Sequence, residues 1–176
     1  VGPCGLFPAV GMCLNTLSIR WANPAIMSEP IVLFGGTFDP VHNGHLITVR
    51  SVAEQCGFER VHLVPAAVPP HKAGAHATAA QRLRMLRLAV EADELFEICE
   101  LELSRPGPSY TLDTVRQLRG RREGDEPLCL IVGADMLAEL PTWHGVDELL
   151  REARIVVALR PPWDRKIRQI LDDLEK

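Results

Sequence analysis

Short runs of consecutive apolar residues alternate along this chain with longer segments whose apolar residues recur at helical spacing. The uninterrupted runs are typical of strands that are covered on both faces of a sheet. In the longer segments an apolar residue returns every three or four positions, which places these residues on one face of an α-helix. The predicted strands are Ile31–Phe34, Val61–Val64, a third near Phe96–Leu103, Leu128–Val132 and Ile155–Leu159. The predicted helices are Gly44–Cys56, Thr78–Ala92, Thr111–Arg121, a short one from Asp135, Val146–Glu152 and Asp164–Leu174.

This alternation predicts an α/β fold, in which five parallel strands form one sheet with helices on both faces. The first 26 residues do not share the pattern, since they carry a single charge, Arg20, and Met27 stands just before the first clear strand. They lack the basic start of a signal peptide and the Arg- and Ser-rich composition of a transit peptide. We expect residues 1–26 to be a disordered extension or an over-extended start, and residues 27–176 to form one domain.

The composition and net charge argue against several classes of binding partner. The formal net charge is −4 and the isoelectric point about 5.9, so no global basic field would attract nucleic acid or an anionic membrane. No apolar stretch reaches the roughly 18 residues that a membrane-spanning helix needs. The five cysteines are isolated and odd in number, which favours reduced thiols in a cytoplasmic protein over a disulfide framework. The oligomeric state is left open.

Parallel α/β sheets bind ligands outside the carboxyl ends of their strands, so the residues that follow each strand are the candidates for chemistry. Gly35–His45 follows the first strand. Paired glycines let a ligand approach the backbone, and the next helix start offers N–H groups to phosphate oxygens. His42 and His45 are three positions apart, so both imidazoles can face one point and stabilise charge on a phosphate. A Gly-Gly turn alone is usually only a turn, and a lone His-x-x-His is more often a surface accident or half a metal site. No third ligand stands at helical spacing, so we expect no metal on these histidines.

The whole string Gly35–His45, Gly-Gly-Thr-Phe-Asp-Pro-Val-His-Asn-Gly-His, resembles the first motif of the His-x-Gly-His nucleotidyltransferases. Its form is typical of bacterial nicotinate-nucleotide adenylyltransferases. Four more segments resemble that family in the same order: Val64–Lys72, Ser109–Thr111, Val132–Asp135 and Pro141–Trp143. The resemblance implies a Rossmann-like fold, a nucleotidyltransferase domain over residues 27–176, and transfer of AMP from ATP to nicotinate mononucleotide, giving deamido-NAD and pyrophosphate.

Transfer of AMP to an acceptor phosphate needs few catalytic groups from the protein. A phosphomonoester with a second pKa near roughly 6 is mostly dianionic at neutral pH, so its attack needs no general base. Catalysis reduces to holding two anions in line and neutralising the α-phosphate. The resemblance gives that role to His42 and His45, adds Mg²⁺ on the triphosphate, and makes Lys72 a phosphate contact, although a lysine is more often simply solvated. His71 beside it fits loop packing equally well.

The resemblance also assigns ligand contacts to other strand-end residues. ATP would be bound by Gly35, Gly36, Thr37, Phe38, Gly133, Asp135 and Arg160, and nicotinate mononucleotide by Tyr110, Thr111 and Trp143, whose indole would stack on the nicotinate ring. Three of these residues also have an interpretation that involves no ligand. Asp135 could only cap a helix, Tyr110 could pack against the sheet, and Arg160 could be a rim arginine without a task.

One family segment is not matched. After Arg160 nothing resembles the Ile-Ser-Ser-Thr-x-Ile-Arg type of second phosphate site, so we expect a C-terminally incomplete sequence that is poorly active or inactive as given. Two alternatives stay open. One is an adenylyltransferase for another phosphorylated acceptor, such as nicotinamide mononucleotide or phosphopantetheine. The other is a catalytically impaired nucleotide-binding module.

Overall fold

All strands in the described part of the chain run parallel in one sheet. The computed structural model describes residues 10–11, 29–69, 75–121 and 126–159. The strands are β1 (Val10–Gly11), β2 (Ile31–Gly36), β3 (Val61–Pro65), β4 (Phe96–Ile98), β5 (Leu128–Gly133) and β6 (Arg154–Ala158). The helices are α1 (Asn43–Cys56), α2 (Ala79–Val90), α3 (Thr111–Arg119), α4 (Ala134–Leu137) and α5 (Val146–Glu152), with a 3₁₀ turn at Leu140–Thr142.

The predicted α/β class and the five predicted strands are confirmed, but the sheet has six strands, in the order β1-β6-β5-β2-β3-β4. The added strand, β1, lies within the segment expected to be a disordered extension, and Val10 pairs with Ile155 at the sheet edge. A strand of two residues is too short to show an alternating apolar pattern. Pairing with the open edge of β6, and not a local sequence pattern, therefore makes this segment a strand. The other residues of 1–28 lie outside the described part, and so does the helix predicted at Asp164–Leu174.

Both faces of the sheet are covered, as the continuous apolar runs predicted. Along β5 the side chains alternate between two cores: Leu130 packs with α3 and α5 residues such as Val115 and Leu149, whereas Ile131 packs with α1 residues such as Val49. Every side chain from Leu128 to Val132 is buried. This two-sided burial holds β2 and β5 rigidly at the centre of the sheet, where they carry the loops described below.

One strand is shorter than expected, whereas one helix begins at its expected position. The third predicted strand ends at Ile98 instead of continuing to Leu103, because the chain turns at residues 101–104. Helix α2 begins where its capping box predicted, with the Thr78 hydroxyl accepting the N–H of Gln81 and the Gln81 side chain accepting the N–H of Thr78.

The centre of the sheet is also its topological switch point. β2 is hydrogen-bonded to β3 on one side and to β5 on the other. After β2 the chain continues towards β3, and after β5 it continues towards β6, so the two loops part and leave a crevice between them. The turn after Gly36 and the helix start after Gly133 border this crevice.

Candidate functional site

The turn after β2 delivers both predicted histidines to the start of α1. His42 is the N-cap residue and His45 is the third residue of the helix. Their rings are stacked, with centroids 3.7 Å apart and planes 21° from parallel. His42 is exposed and His45 is partly exposed, so neither ring is sealed in the core. The two imidazoles therefore share one place at the crevice, as their spacing predicted.

A main-chain contact defines the tautomer of His45. The backbone N–H of His42 donates to Nδ1 of His45 at 3.4 Å. A neutral imidazole that accepts at Nδ1 carries its proton on Nε2. His45 can therefore donate an N–H from Nε2 to an anion, and the positive end of the α1 dipole reinforces attraction of negative charge there.

Glycine and phenylalanine residues of the motif determine where these rings lie. A Cβ on Gly44 would come 2.9 Å from Nδ1 of His42, so only glycine leaves room for that ring. A Cβ on Gly36 would come 3.2 Å from the ring of Phe38. The Phe38 ring is 1% exposed and packs edge-on against His45, with centroids 5.3 Å apart. Phe38 thus contacts both Gly36 and His45, and its backbone has a φ of +50°, in the left-handed region.

A small pocket opens beside this turn and collects the three residues predicted to bind the acceptor. Its lining includes Tyr110, Thr111 and Trp143 together with Gly36 and Thr37 of the turn, and its volume is about 130 Å³. A cavity of about 150 Å³ holds one benzene molecule, so this pocket has the size of a single aromatic ring. The predicted acceptor residues and the predicted turn therefore meet at one place.

Aromatic side chains flank the pocket. The ring of Tyr110 stacks on the ring of His144 with centroids 4.3 Å apart, and His144 also lines the pocket. The indole Nε1 of Trp143 is buried, and among the described residues it has no hydrogen-bond partner. Sequence reasoning missed His144, although its position next to Trp143 could have indicated it. Tyr110 thus lines the pocket and stacks on His144, which favours a ligand contact over packing against the sheet, and its role stays a prediction.

On the other side of the crevice, Gly133 and Asp135 follow β5. The N-cap of α4 is Gly133, and Asp135 lies in the first turn of that helix instead of at its cap. The plain helix-cap interpretation of Asp135 therefore does not apply. A Cβ on Gly133 would come 2.5 Å from Oδ1 of Asp135, so the glycine makes room for this carboxylate. Gly35 has no atom within 4 Å of its Cβ position and faces open space.

Known proteins are similar to this chain in sequence and in fold. The family model described as cytidylyltransferase-like matches residues 33–174. The chain belongs to the cytidylyltransferase-like family. The resemblance read from the motifs is thus confirmed at the level of the family.

Individual proteins are also similar to this chain. A protein of Aeromonas salmonicida named "Probable nicotinate-nucleotide adenylyltransferase" is 44% identical over 138 residues, which is 78% of this chain and 64% of the relative. A Klebsiella pneumoniae protein of the same name is 42% identical over 135 residues, 77% of this chain and 62% of the relative. The chain thus spans less than two thirds of the length of these relatives. A solved Plasmodium falciparum nicotinic acid mononucleotide adenylyltransferase, complexed with NaAD, shares the fold with a TM-score of 0.69 at 16% identity, over 81% of this chain and 71% of that one.

In this family member a buried polar network supports the pocket wall. The Ser109 hydroxyl accepts the N–H groups of Ala67 at 3.0 Å and Val68 at 3.3 Å, and Ser109 donates its own N–H to the carbonyl of Val68. The buried carboxylate of Glu102 accepts the hydroxyl of Thr114 at 2.7 Å and is also hydrogen-bonded by Ser109. Burial raises the pKa of Glu102. Ser109 therefore joins two segments of the pocket wall, and Glu102 orients its hydroxyl.

Three residues with roles considered from the sequence lie outside the described part of the chain. Lys72, His71 and Arg160 are outside the described residues, so their roles stay predictions. Within the described ranges, no three His, Cys, Asp or Glu side chains form a group that could hold a metal ion. The same ranges contain no helix that is long and apolar enough to cross a membrane.

Proposed function

We propose that this protein transfers AMP from ATP to nicotinate mononucleotide, releasing pyrophosphate and forming deamido-NAD. The observation that carries the proposal is a ring-sized pocket lined by Tyr110 and Trp143 and by the first residues of the turn that leads to the stacked pair His42 and His45. The family supplies the class of reaction, and the names of relatives at 44% and 42% identity support the acceptor. The reaction belongs to NAD biosynthesis.

In this proposal the two histidines act on the α-phosphate of ATP. Nε2 of His45 donates a hydrogen bond to a phosphate oxygen, and the His42 ring, stacked on it, contacts the same group. Charge on the phosphorus oxygens grows as the acceptor phosphate attacks, so donors already in place stabilise the transition state more than the ground state. No residue removes a proton from the nucleophile, because the acceptor phosphate is already anionic.

The pocket recognises the pyridine ring of the acceptor. The ring stacks on Trp143, and the buried indole N–H finds a polar partner on the ligand. The first N–H groups of α3 lie at Thr111, where a helix leaves such groups without an intrahelical partner. Tyr110 is the N-cap residue of α3 and makes no side-chain cap. The positive end of this nine-residue helix therefore favours the carboxylate of nicotinate over the neutral amide of nicotinamide.

ATP occupies the crevice between the two divergent loops. We propose that the open face of Gly35 receives the phosphates, with Gly36, Thr37 and Phe38 shaping the turn, and that Asp135 accepts a ribose hydroxyl beside Gly133. Lys72 and Arg160 complete the set as phosphate contacts. Mg²⁺ prefers oxygen ligands and often binds mainly through substrate phosphates. We therefore propose that Mg²⁺ enters with ATP, held by phosphate oxygens and water, where it neutralises charge on the triphosphate.

The proposal is tested by measuring pyrophosphate release from ATP with either mononucleotide. We expect turnover with nicotinate mononucleotide, much slower turnover with nicotinamide mononucleotide, and a roughly hundred- to thousandfold loss in His45→Ala. The assay uses the chain itself and a version extended with the C-terminal region of a relative, since the second phosphate segment is not matched here. A preference for the amide would overturn the choice of acceptor. ATP binding without turnover in both versions would favour a binding module instead.

We also propose a cytoplasmic location. Cys56 and Cys129 are buried and belong to no disulfide, and burial raises the pKa of Cys129 to about 11, so it stays protonated and unreactive at neutral pH. Mass spectrometry of alkylated protein prepared from fractionated cells would test both the location and the reduced state.

A further inference from the structure

Arg82 on α2 is a charged side chain in an unusual position. It is 1% exposed and is among the largest fully buried side chains of the described part of the chain. Burial lowers the pKa of its guanidinium, which shows the cost of keeping this charge away from water. Its neighbours Leu83 and Arg84 on the same helix are partly or fully exposed. The contacts of Arg82 should therefore explain why this charge is buried.

Each hydrogen bond described for Arg82 goes to a main-chain carbonyl. Nη1 donates to Thr37 at 2.6 Å, Nη2 donates to Ala67 at 3.2 Å, and Nε donates to Ala77 at 3.3 Å. The three carbonyls belong to three separate segments: the turn after β2, the loop after β3 and the approach to α2. One planar guanidinium therefore joins three segments. The first two are also connected at the end of the β2–β3 pair, where the backbone N–H of Ala66 donates to the carbonyl of Gly36 at 2.9 Å, and Arg82 adds the contacts beyond that point.

Asp39 strengthens the same arrangement from the turn. Its carboxylate accepts the backbone N–H groups of His76 and Ala77, and its charge raises the pKa of Arg82 in opposition to burial. The turn is thus tied to the approach of α2 twice, through Asp39 and through Arg82. The bond to Ala67 extends this connection to the wall of the pocket, because the neighbouring Ala66 lines it.

We infer that Arg82 is a positioning residue that holds the turn after β2 against the loop after β3, and so determines the distance between the histidine pair and the ring pocket. The inference rests on the proposed function for its catalytic consequence, but the structural part stands on the hydrogen bonds alone. Thr37 is five residues before His42, and both Thr37 and Ala66 line the pocket. A shift of the turn would therefore move the phosphate donors away from the acceptor. Lysine cannot replace this function, since a single ammonium lacks the planar fork that reaches three carbonyls.

The test compares Arg82→Lys with Arg84→Lys. Arg84 is an exposed residue of the same helix, so the second variant controls for the chemical change. Amide hydrogen exchange is measured at residues 36–42 and 66–68 and in the core strands β5 and β6. We expect roughly tenfold or faster exchange in the two loop segments of Arg82→Lys, with unchanged protection in the core strands. Exchange that rises equally everywhere, or nowhere, would overturn the inference.

Activity adds a second and separate readout, taken well below the melting temperature of each variant. We expect kcat to fall by roughly ten- to a hundredfold in Arg82→Lys and by less than about twofold in Arg84→Lys. In Arg82→Ala, millimolar guanidinium should restore part of kcat, whereas ammonium should not. Full kcat in Arg82→Lys despite local loosening would overturn the positioning role and leave the proposed function intact. The activity comparison is made in whichever version turns over, the chain itself or the extended one. If neither version shows turnover, the proposed function fails, and hydrogen exchange alone decides whether Arg82 holds the turn.

Discussion

Replacing Gly44 by alanine should separate stability from activity in this protein. Gly44 is the second residue of α1, is exposed, and has a helical backbone, so alanine is tolerated by the main chain. Glycine inside a helix is less stable than alanine by roughly 0.5–1 kcal/mol. The variant should therefore be as stable as the original, or more stable by about 0.5 kcal/mol.

The same substitution should damage the site. The new Cβ would lie 2.9 Å from Nδ1 of His42, whereas ordinary contacts of a Cβ begin near 3.4 Å. The exposed ring can move aside at little cost, but it then leaves its stack on His45 by about half an ångström or more. A misplacement of about 1 Å near reacting groups can cost about a hundredfold in rate. We expect kcat/KM to fall by roughly ten- to a hundredfold in Gly44→Ala.

Two assays decide between these outcomes. Urea denaturation measures the free energy of unfolding, and pyrophosphate release measures kcat/KM. Gly120→Ala is the matched control, because a Cβ at Gly120 makes only ordinary contacts, with the carbonyls of Arg116 at 3.5 Å and Gln117 at 3.9 Å, far along the sequence from the site. Full activity in Gly44→Ala together with unchanged or higher stability would show that the position of the His42 ring is irrelevant, which would refute the reasoning.

Three further predictions concern the pocket and its wall. Ser109→Ala should lower the free energy of unfolding by about 1–3 kcal/mol, because two partly buried N–H groups lose their acceptor. Urea denaturation checks this against Ser51→Ala at an exposed position of α1, for which about 0.5 kcal/mol or less is expected. Glu102→Gln should remove a pH dependence of the free energy of unfolding. Because burial raises the pKa of Glu102, the native state binds more protons than the unfolded state. The contribution of Glu102 to stability therefore falls as the pH rises from its unfolded pKa of about 4.3 through its native pKa. Unfolding curves across that pH range should therefore be flatter for the variant. Trp143→Ala should raise KM for nicotinate mononucleotide by roughly ten- to a hundredfold through lost stacking, and an unchanged KM in steady-state kinetics would place the ring elsewhere.

Local patterns in the sequence determined much of this protein. Uninterrupted apolar runs predicted the central strands, because burial on both faces demands apolar side chains at every position, as in β5. The capping box at Thr78 located the start of α2, since its partners are only three residues apart. The histidine pair was predictable for the same reason: His42, Gly44 and His45 act within a single helical turn.

Only the tertiary structure decided which distant residues meet. Strand β1 forms because it can pair with the open edge of β6, and its two residues show no sequence pattern of their own. The ring pocket is formed by separate segments after β2 and β3, before α3 and after β5, and brought His144 to Tyr110 without any sequence signal beyond proximity to Trp143. Arg82 and Glu102 show the physical reason most clearly. A charged residue in a sequence is expected to be solvated, and whether it is instead buried depends on hydrogen-bond partners that folding brings together from far along the chain.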